Sequence, residues 1–229
     1  AANEGKALEV DVDGERVQRI PLRTRVVMPD DDLDDIITAY AKDAVQPGDL
    51  LFVTEKIVAI TQGRSYLLGD IRVRPLARFL STYVQKTPYG IGLGMSETME
   101  MALRECGTPR ILLAAAVAAV TKALGRKGDF YRIAGDKARA IDGPTSGTIP
   151  PYNQAVVLGP DKPREVARRV QALVGSAVDV AVVDINDIGG NILGSTLDKA
   201  GEKRLVRILR DNPLGQGHQS TPLGIVRPV

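Results

Sequence analysis

The chain has 229 residues, of which 44% are hydrophobic and 25% are charged, a composition typical of a globular protein. A net charge of +2 and 4% aromatic residues, none of them Trp, argue against a nucleic-acid-binding surface. The single cysteine, Cys106, excludes an intrachain disulfide. No apolar stretch approaches the roughly 20 residues that span a bilayer, and the N-terminus carries no secretion signal. We therefore expect a cytoplasmic protein that does not contact a membrane.

The N-terminal segment predicts a β-hairpin followed by a helix. Alternating apolar and polar residues flank Asp13-Gly14, the strongest kind of short turn signal, and predict a hairpin over about residues 7–20. Residues 23–27 could add a third strand. Apolar residues from Leu33 to Ala41 have the spacing of one helix face. The acids just before that helix are explained by capping more simply than by metal binding.

The central part of the sequence predicts strands and then several helices. Residues 50–53 and 56–61 predict strand, with a break at Thr54-Glu55. Helices are predicted over 76–84, over 96–106 with Ser96 as N-cap, and over 110–124. The last helix is rich in alanine, which indicates close packing against a neighbour, and that neighbour could be another subunit.

The C-terminal part alternates strands and helices. Strands are predicted over 130–134, 155–158 and 178–183, and helices over 163–173 and 196–210, with a long ordered loop over 135–153. The order strand, helix, strand from 155 to 183 predicts a βαβ-like unit. Residues 212–229 form a Pro- and Gly-rich tail that holds the one histidine, His218, which is either a surface residue or part of a site under a folded-back tail.

The most informative segment is Val182–Asn191, where an apolar strand ends in acids, an amide and two glycines. Asp184, Asp187 and Asn186 supply the oxygen ligands that Mg²⁺ or Mn²⁺ prefers. Gly189 and Gly190 would let backbone amides approach an anion. An ordinary acidic turn after a strand explains the same residues.

Three other places could bind a ligand. The loop Asp142–Thr148 offers a carboxylate and hydroxyls, or is a plain surface loop. The Gly90–Gly94 loop opens a predicted helix and suits a phosphate, although its spacing does not match the dinucleotide fingerprint. Lys56 and Arg64 could contact a phosphate or a substrate carboxylate, or be solvated charges at strand ends.

Common nucleophile and phosphate-loop motifs are missing from the sequence. It has no G-x-S-x-G, no H-E-x-x-H, no C-x-x-C and no G-x-x-x-x-G-K-[ST] segment. Phosphoryl and acyl-phosphate transfer need mainly cations, metal-binding carboxylates and backbone donors. The sequence therefore leaves open a chemistry that needs no protein nucleophile.

Several of these segments, in this order, resemble the coenzyme F420-0:γ-glutamyl ligase family. The most specific match is Asp49–Val58 with Gln62-Gly63-Arg64, which resembles the family's "GD-hydrophobic-VTQKIVSKAEGR". Residues 186–190 fall where the family has a strand ending in "TDTFGRP", and Asp142 falls near the acid of "NAGVDxSN". The likeness spans about residues 20–195.

The resemblance implies an α+β fold of mixed sheets with packed helices, in a single domain over 1–229, and an intertwined homodimer. It also implies a ligase that uses GTP (or ATP) and Mg²⁺ or Mn²⁺. Such an enzyme activates the carboxylate of a small anionic acceptor as an acyl phosphate, which the amine of glutamate then attacks. By position, Asp142 and Asp187 would bind the metal, and Lys56 and Arg64 would be the catalytic residues beside the nucleotide or the substrate.

The local sequence, apart from the family resemblance, adds further candidate site residues. Asp184 is a further candidate metal ligand, and Glu55, Asn186, Gly189 and Gly190 are candidate cofactor-binding residues. The family's Thr after the metal-binding Asp is Ile188 here, its Arg and Pro after the glycine are Asn191 and Ile192, and an alternative alignment would select Asp136 in place of Asp142. These departures leave open a second hypothesis, a non-catalytic or regulatory relative that binds nucleotide and metal.

Overall fold

The computed structural model describes residues 1–84, 92–126, 128–145, 147–186, 189–215 and 218–229. Its strands are β1 Glu9–Val12, β2 Glu15–Leu22, β3 Leu50–Thr54, β4 Ser65–Leu67, β5 Ala155–Val157, β6 Asp179–Asn186, β7 Gly189–Ser195 and β8 Leu223–Pro228. Its α-helices are α1 Leu33–Tyr40, α2 Glu55–Thr61, α3 Pro75–Ser81, α4 Ser96–Glu105, α5 Thr108–Ala123, α6 Asp129–Ala134, α7 Asp136–Arg139, α8 Pro163–Val174 and α9 Lys199–Ile208. Mixed sheets with packed helices confirm the predicted α+β class.

The chain forms two compact units. Unit 1 comprises Ala1–Gly63 and Pro160–Val229, and unit 2 comprises Arg64–Gly159. Unit 1 contains a six-stranded sheet with the order β1-β2-β8-β3-β6-β7. Neighbouring strands are antiparallel except for β3 and β6, which are parallel.

Local sequence signals explain the first elements of unit 1. The predicted hairpin is confirmed as β1 and β2, and Asp13 and Gly14 at its turn have φ values of 57° and 82°. Two consecutive positive φ values are what the tight hairpin turn requires. The capping interpretation is also confirmed, because Asp32 accepts a hydrogen bond from the amide of Asp34 at the start of α1.

Both faces of the parallel pair β3 and β6 are covered. On one face Phe52, Ala181 and Val183 pack with Leu205 and Ile208 of α9. The residues that alternate with them along the two strands point the other way. That opposite face is covered by α2 and α8, which pack against β6, and α1 packs in turn on both of these helices.

The structure corrects four predictions in unit 1. Residues 56–61, predicted as strand, form most of α2, and residues 23–27 are not a strand. The apolar run Ile57–Ile60 is buried as a whole, and such short runs do not distinguish strand from buried helix. The predicted C-terminal tail contains β8, which lies inside the sheet between β2 and β3. Helix α9 is shorter than predicted and begins after Asp198, whose side chain accepts from the amide of Gly201.

The predicted βαβ-like unit is wrong. β5 pairs with β4 in a separate two-stranded sheet of unit 2, whereas α8 leads to β6 in unit 1. The parallel neighbour of β6 is β3. Because β3 and β6 are far apart in the sequence, no local pattern could identify them as partners.

Unit 2 consists of the β4–β5 sheet and helices α3 to α7. Its core includes Leu93, Met99, Leu103 and Ile111, all buried. Residues 130–134, predicted as strand, lie in helix α6, and the predicted long loop over 135–153 contains α7. Ser96 is the first residue of α4 rather than its cap, and its hydroxyl donates to the carboxylate of Glu97.

Among the described residues, no single helix has both the length and the apolar composition needed to cross a membrane. Helices α4 and α5 meet that test only when they are taken together, and the pair is bent by 119°.

Candidate functional site

The candidate site of unit 1 lies where β3 and β6 end. Thr54, the last residue of β3, is the register partner of Val183 in β6. The chain then turns into α2 at Glu55, while β6 continues through Asp184 to Asn186. Because parallel strands end at the same edge of a sheet, Glu55 and Lys56 emerge at the edge that carries Asp184 and Asn186.

Alternation along β6 sets the direction of its polar side chains. Val183 and Ile185 belong to the apolar cluster that packs with α9. Asp184 and Asn186 therefore project from the opposite face, the one that α2 and α8 cover. Both residues are half-buried, as are Glu55 and Lys56. Two carboxylates, an amide and an ammonium group thus belong to one partly sheltered sheet edge.

The glycine pair belongs to the hairpin between β6 and β7. Gly189 pairs with Asn186 and Gly190 pairs with Ile185. The side-chain oxygen of Asn186 accepts a hydrogen bond from the amide of Gly189 at 3.1 Å. The sequence suggested that the Gly189 amide binds an anion. In the structure this amide instead donates to a side chain of the protein, that of Asn186. Asp187, the predicted metal ligand, lies outside the described residues.

Glu55 and Lys56 form the first turn of α2. A carboxylate in the first turn is favoured by the partial positive charge of the helix N-terminus. The preceding strand residues Leu51, Phe52 and Val53 are fully buried and fix where this turn begins. The segment with the most specific family resemblance is thus held by the sheet at its N-terminal end.

Arg64 belongs to unit 2 and has partners within it. Its Nε donates to the carbonyl of Gly159 at 2.6 Å, and its Nη2 donates to the Glu105 carboxylate at 2.7 Å. Lys137 also contacts that carboxylate, at 3.2 Å. Burial opposes ionisation of Glu105, but the hydrogen bonds from Arg64 and Lys137 outweigh it and lower its pKa from 4.5. The contacts of Arg64 join the two ends of unit 2, a role that the sequence did not predict.

Asp142 also belongs to unit 2, where it forms an isolated bridge with Val157. The amide of Asp142 donates to the carbonyl of Val157 at 2.8 Å, and the reverse bond is 2.9 Å. Two hydroxyls of the following loop, those of Thr145 and Thr148, lie 2.7 Å apart. These bonds fix the backbone of Asp142 to β5. Its side chain is half-buried.

The donor chemistry of the sheet edge fits a hard divalent cation, since carboxylate and amide oxygens are the ligands that Mg²⁺ and Mn²⁺ take. Asp184 and Glu55 are the described residues of unit 1 that would supply such oxygens. Within the described ranges, no three or more His, Cys, Asp or Glu residues are arranged to hold a metal ion. A complete ligand set thus needs a contribution beyond this pair, such as a carboxylate of the substrate or of Asp187.

A cleft of about 220 Å³ lies at the start of α8 in unit 1. Its lining includes Gln62, Asp161, Lys162 and Arg169. The Gln62 side chain donates to the Asp161 carbonyl at 2.9 Å and accepts from the Asp161 amide at 2.7 Å. Lys162 and Arg169 were not identified from sequence, because nothing local marks a lysine before a helical proline as a cleft residue. Gln62 thus fixes the start of α8 beside the end of α2.

The structure describes two remaining predicted places only in part. His218 is exposed, within a segment that lies between α9 and β8. Of the glycine loop, Gly90 lies outside the described residues, and Gly92–Gly94 form a short 3₁₀ turn. Helix α4 follows that turn, with Met95 at its N-cap position.

Comparison with known proteins gives one family. A family model described as F420-0:Gamma-glutamyl ligase matches residues 21–193, most of the chain. No curated protein matches the chain. The matched range includes α2, Asp142 and the whole of β6.

Proposed function

Because this chain belongs to the F420-0:gamma-glutamyl ligase family, we propose that it is an amide ligase that depends on a nucleotide and a divalent metal. It joins glutamate, or a similar amino acid, to a small anionic acceptor. Family membership supports γ-glutamyl ligase activity in general. GTP (or ATP) as the co-substrate, Mg²⁺ or Mn²⁺ as the metal, and the acyl-phosphate route are parts of the proposal.

One observation carries the proposal furthest. The parallel register of Thr54 with Val183 brings the Glu55-Lys56 turn and the Asp184–Asn186 segment to one edge of the sheet. The first of these segments resembles the family, the second leads into residues 186–190, where the family has a strand ending in "TDTFGRP", and the two are distant in the sequence. Ligand sites of open sheets with parallel strands lie at this edge, outside the carboxyl ends of the strands.

The residues of the edge have separate roles in this proposal. Asp184 and Glu55 would hold the cation, and Asn186 accepts the hydrogen bond from the amide of Gly189. A bound divalent cation would neutralise charge on the phosphates of the nucleotide. The Lys56 ammonium group then binds a phosphate or the carboxylate of the acceptor as a point charge.

The reaction needs no protein nucleophile. A carboxylate oxygen of the acceptor forms a bond to the terminal phosphorus of the nucleotide, and the nucleoside diphosphate leaves. The amine nitrogen of glutamate then forms a bond to the acyl carbon, inorganic phosphate leaves, and the nitrogen loses a proton. Binding both substrates in one orientation and stabilising the developing charge are the contributions asked of the protein.

The test is a turnover assay with GTP, Mn²⁺, glutamate and a panel of small acceptors that carry both a phosphate and a carboxylate. With the right acceptor we expect phosphate release together with a product whose mass equals acceptor plus glutamate minus water. Lys56→Met should reduce the rate at least tenfold, and Lys42→Met, at an exposed lysine of the same unit, should not. Phosphate release that is the same with and without an acceptor would contradict a ligase.

Two contacts favour the alternative, a non-catalytic relative that binds nucleotide and metal. The guanidinium group of Arg64 donates hydrogen bonds to Glu105 and Gly159, and the amide of Gly189 donates one to Asn186. Both groups were expected to contact ligands. GTP binding that depends on Mn²⁺, combined with no turnover across the acceptor panel, would support this alternative and exclude the ligase.

A further inference from the structure

The cleft at the start of α8 combines a small cavity with four side chains of one helix face. Lys162, Glu165, Val166 and Arg169 line it. Their spacing of i, i+3, i+4 and i+7 places them on the same side of the helix. At about 220 Å³ the cleft is smaller than the roughly 300–1,000 Å³ of sites for drug-sized ligands. It therefore suits a small metabolite better than a nucleotide.

The cleft has a cation at each end and an apolar residue between them. Lys162 and Arg169 are two helical turns apart, which is about 10 Å along the axis. Val166 is buried and lies between them in the lining. Two carboxylates joined by a short methylene chain fit this arrangement. Each carboxylate meets one cation, while the methylene groups contact the valine.

Asp34 of α1 orients Arg169 but leaves part of its guanidinium group available. Nε of Arg169 lies 3.2 Å from Oδ1 of Asp34. Within the described part of the chain, no residue accepts a hydrogen bond from Nη1 or Nη2 of this arginine. A guanidinium group binds a carboxylate through two nitrogens at once. Arg169 is therefore held on one side and open to a carboxylate on the other.

Lys162 and Glu165 form an ion pair at the rim of the cleft. Nζ of Lys162 lies 3.3 Å from Oε2 of Glu165, and the two side chains are 65% and 66% exposed. Because exposed pairs of this kind contribute little to stability, a ligand can separate them at small cost. A ligand that has an ammonium group as well as carboxylates pairs with both residues, its carboxylate with Lys162 and its ammonium group with Glu165.

The backbone at Lys162 has the left-handed conformation, with φ 46° and ψ 52°. Residues other than glycine are uncommon there, and such positions cluster at ligand-binding sites. Gln62 fixes the turn, since its side chain bonds to both the amide and the carbonyl of Asp161. A lysine is thus presented to the cleft by a turn that two distant parts of unit 1 hold together.

The cleft lies on the same side of the sheet as the candidate edge. Helix α2 begins at that edge with Glu55, and Gln62 directly after the helix lines the cleft. The helix between them is about 10 Å long. Helix α8 packs against β6, on the face from which Asp184 projects. A ligand in the cleft is therefore near the edge but shares no residue with the proposed metal site.

We propose that this cleft binds an amino dicarboxylate of the size of glutamate, and that Lys162, Glu165 and Arg169 select this class over neutral amino acids. The inference rests on the proposed ligase function, in which glutamate or a similar amino acid supplies the amine. It assigns the choice of that amino acid to three side chains that neither the family resemblance nor the sequence identified.

Calorimetric titration with glutamate, both with and without GTP and Mn²⁺, tests the proposal. We expect one site per chain, and binding at least tenfold weaker in Lys162→Asn and in Arg169→Gln. Asparagine adopts the left-handed conformation more readily than most residues, so Lys162→Asn removes the charge without straining the turn. Arg168→Gln is the matched control, because Arg168 is an exposed arginine of α8 outside the cleft lining, and it should bind like the wild type.

The role of Glu165 is tested by comparing glutamate with glutarate, which lacks the amine. The wild type should bind glutamate more tightly than glutarate. Glu165→Gln should remove this preference without weakening the binding of glutarate. Equal affinity of the wild type for the two ligands would contradict an ammonium contact with Glu165.

Two results would overturn the proposal. One is that glutamate does not bind under either condition, and the other is that Lys162→Asn and Arg169→Gln bind it like the wild type. Turnover by both variants with an unchanged KM for glutamate would likewise reject the cleft and leave the ligase function standing. Glutamate binding that depends on these residues, without turnover on any acceptor, would instead support the cleft and contradict the ligase.

Discussion

Thr54 at the end of β3 lies opposite Val183 of β6 in a parallel register. This pairing brings two segments that are distant in the sequence to the same sheet edge. Buried residues on both faces hold it in place, since Leu51, Phe52 and Val53 in one strand and Val180 to Val183 in the other are fully buried. A slip by one residue would turn these side chains to the wrong faces, so the core itself fixes which polar residues meet at the edge.

The first prediction concerns how α8 is held against the sheet. A Cβ at Gly194 in β7 would lie 2.3 Å from the amide nitrogen of Arg164, in the first turn of α8. Because the obstacle is backbone, Gly194→Ala should destabilise the protein by about 1–3 kcal/mol, measured by urea unfolding. Gly189→Ala is the control, since a Cβ there would meet nothing within 4 Å. Equal stability of the two variants would contradict the close packing of α8 on β7.

The second prediction concerns the buried carboxylate of Glu100 in α4. The side chain is 1% exposed and accepts hydrogen bonds from Nε of Arg74 at 3.0 Å and from Nε of Arg104 at 2.8 Å. Glu100→Gln leaves these two arginines without their counter-ion and should cost about 2–4 kcal/mol in unfolding free energy. The neighbouring Glu97→Gln should change it by about 0.5 kcal/mol or less. A loss for Glu100→Gln no larger than that of the control would show that this ion cluster adds nothing to stability.

The third prediction is the acid dependence of stability. Burial raises the pKa of Glu100, but hydrogen bonds from Arg74 and Arg104 outweigh burial and lower the pKa from 4.5. A carboxylate with a lowered pKa in the folded state stabilises the fold above its unfolded pKa, and this contribution is lost as pH falls through the folded value. The urea midpoint should therefore fall as the pH drops below about 4.5. The fall should be smaller in Glu100→Gln, and an identical pH profile for that variant would rule out this source of acid sensitivity.

The fourth prediction separates two roles for Arg64. Since its guanidinium group bonds to Glu105 and Gly159, Arg64→Met should cost about 1–3 kcal/mol in stability. Arg64→Lys should recover only part of this, because an ammonium group cannot reproduce the planar pair of bonds. Arg78→Met, at an exposed arginine of α3, serves as the control. If Arg64→Met keeps full stability but binds GTP more weakly, Arg64 acts on the ligand, as predicted from the sequence.

Elements defined by local signals could be predicted from the sequence. The Asp13-Gly14 turn, the Asp32 cap, and α8 between Pro163 and Gly175 depend on residues close together in the chain. The secondary structure was predicted wrongly where apolar segments are short. Ile57–Ile60 in α2 and residues 130–134 in α6 contain β-branched and aromatic residues, yet tertiary packing makes both segments helical.

Pairing between distant strands could not be predicted. β8 was taken for part of a tail because Pro and Gly precede it, and its place in the sheet depends on contacts with β2 and β3. The candidate site shows the same limit, since Glu55 and Asp184 were identified separately and only the β3–β6 register relates them. The partners of Arg64 and of the Gly189 amide could not be foreseen either, because Glu105 and Asn186 carry no signal of these contacts in the sequence.

The central claim is that acids at the end of β6 bind a divalent cation that holds a nucleotide, and calorimetric titration with GTP tests it most directly. Wild-type protein should bind GTP at least tenfold more tightly with Mn²⁺ than without it. Asp184→Asn and Asp187→Asn should each lose this difference while keeping the urea midpoint, and Asp43→Asn, at an exposed aspartate, should retain it. GTP binding by Asp184→Asn and Asp187→Asn with the Mn²⁺ dependence of the wild type would contradict the account.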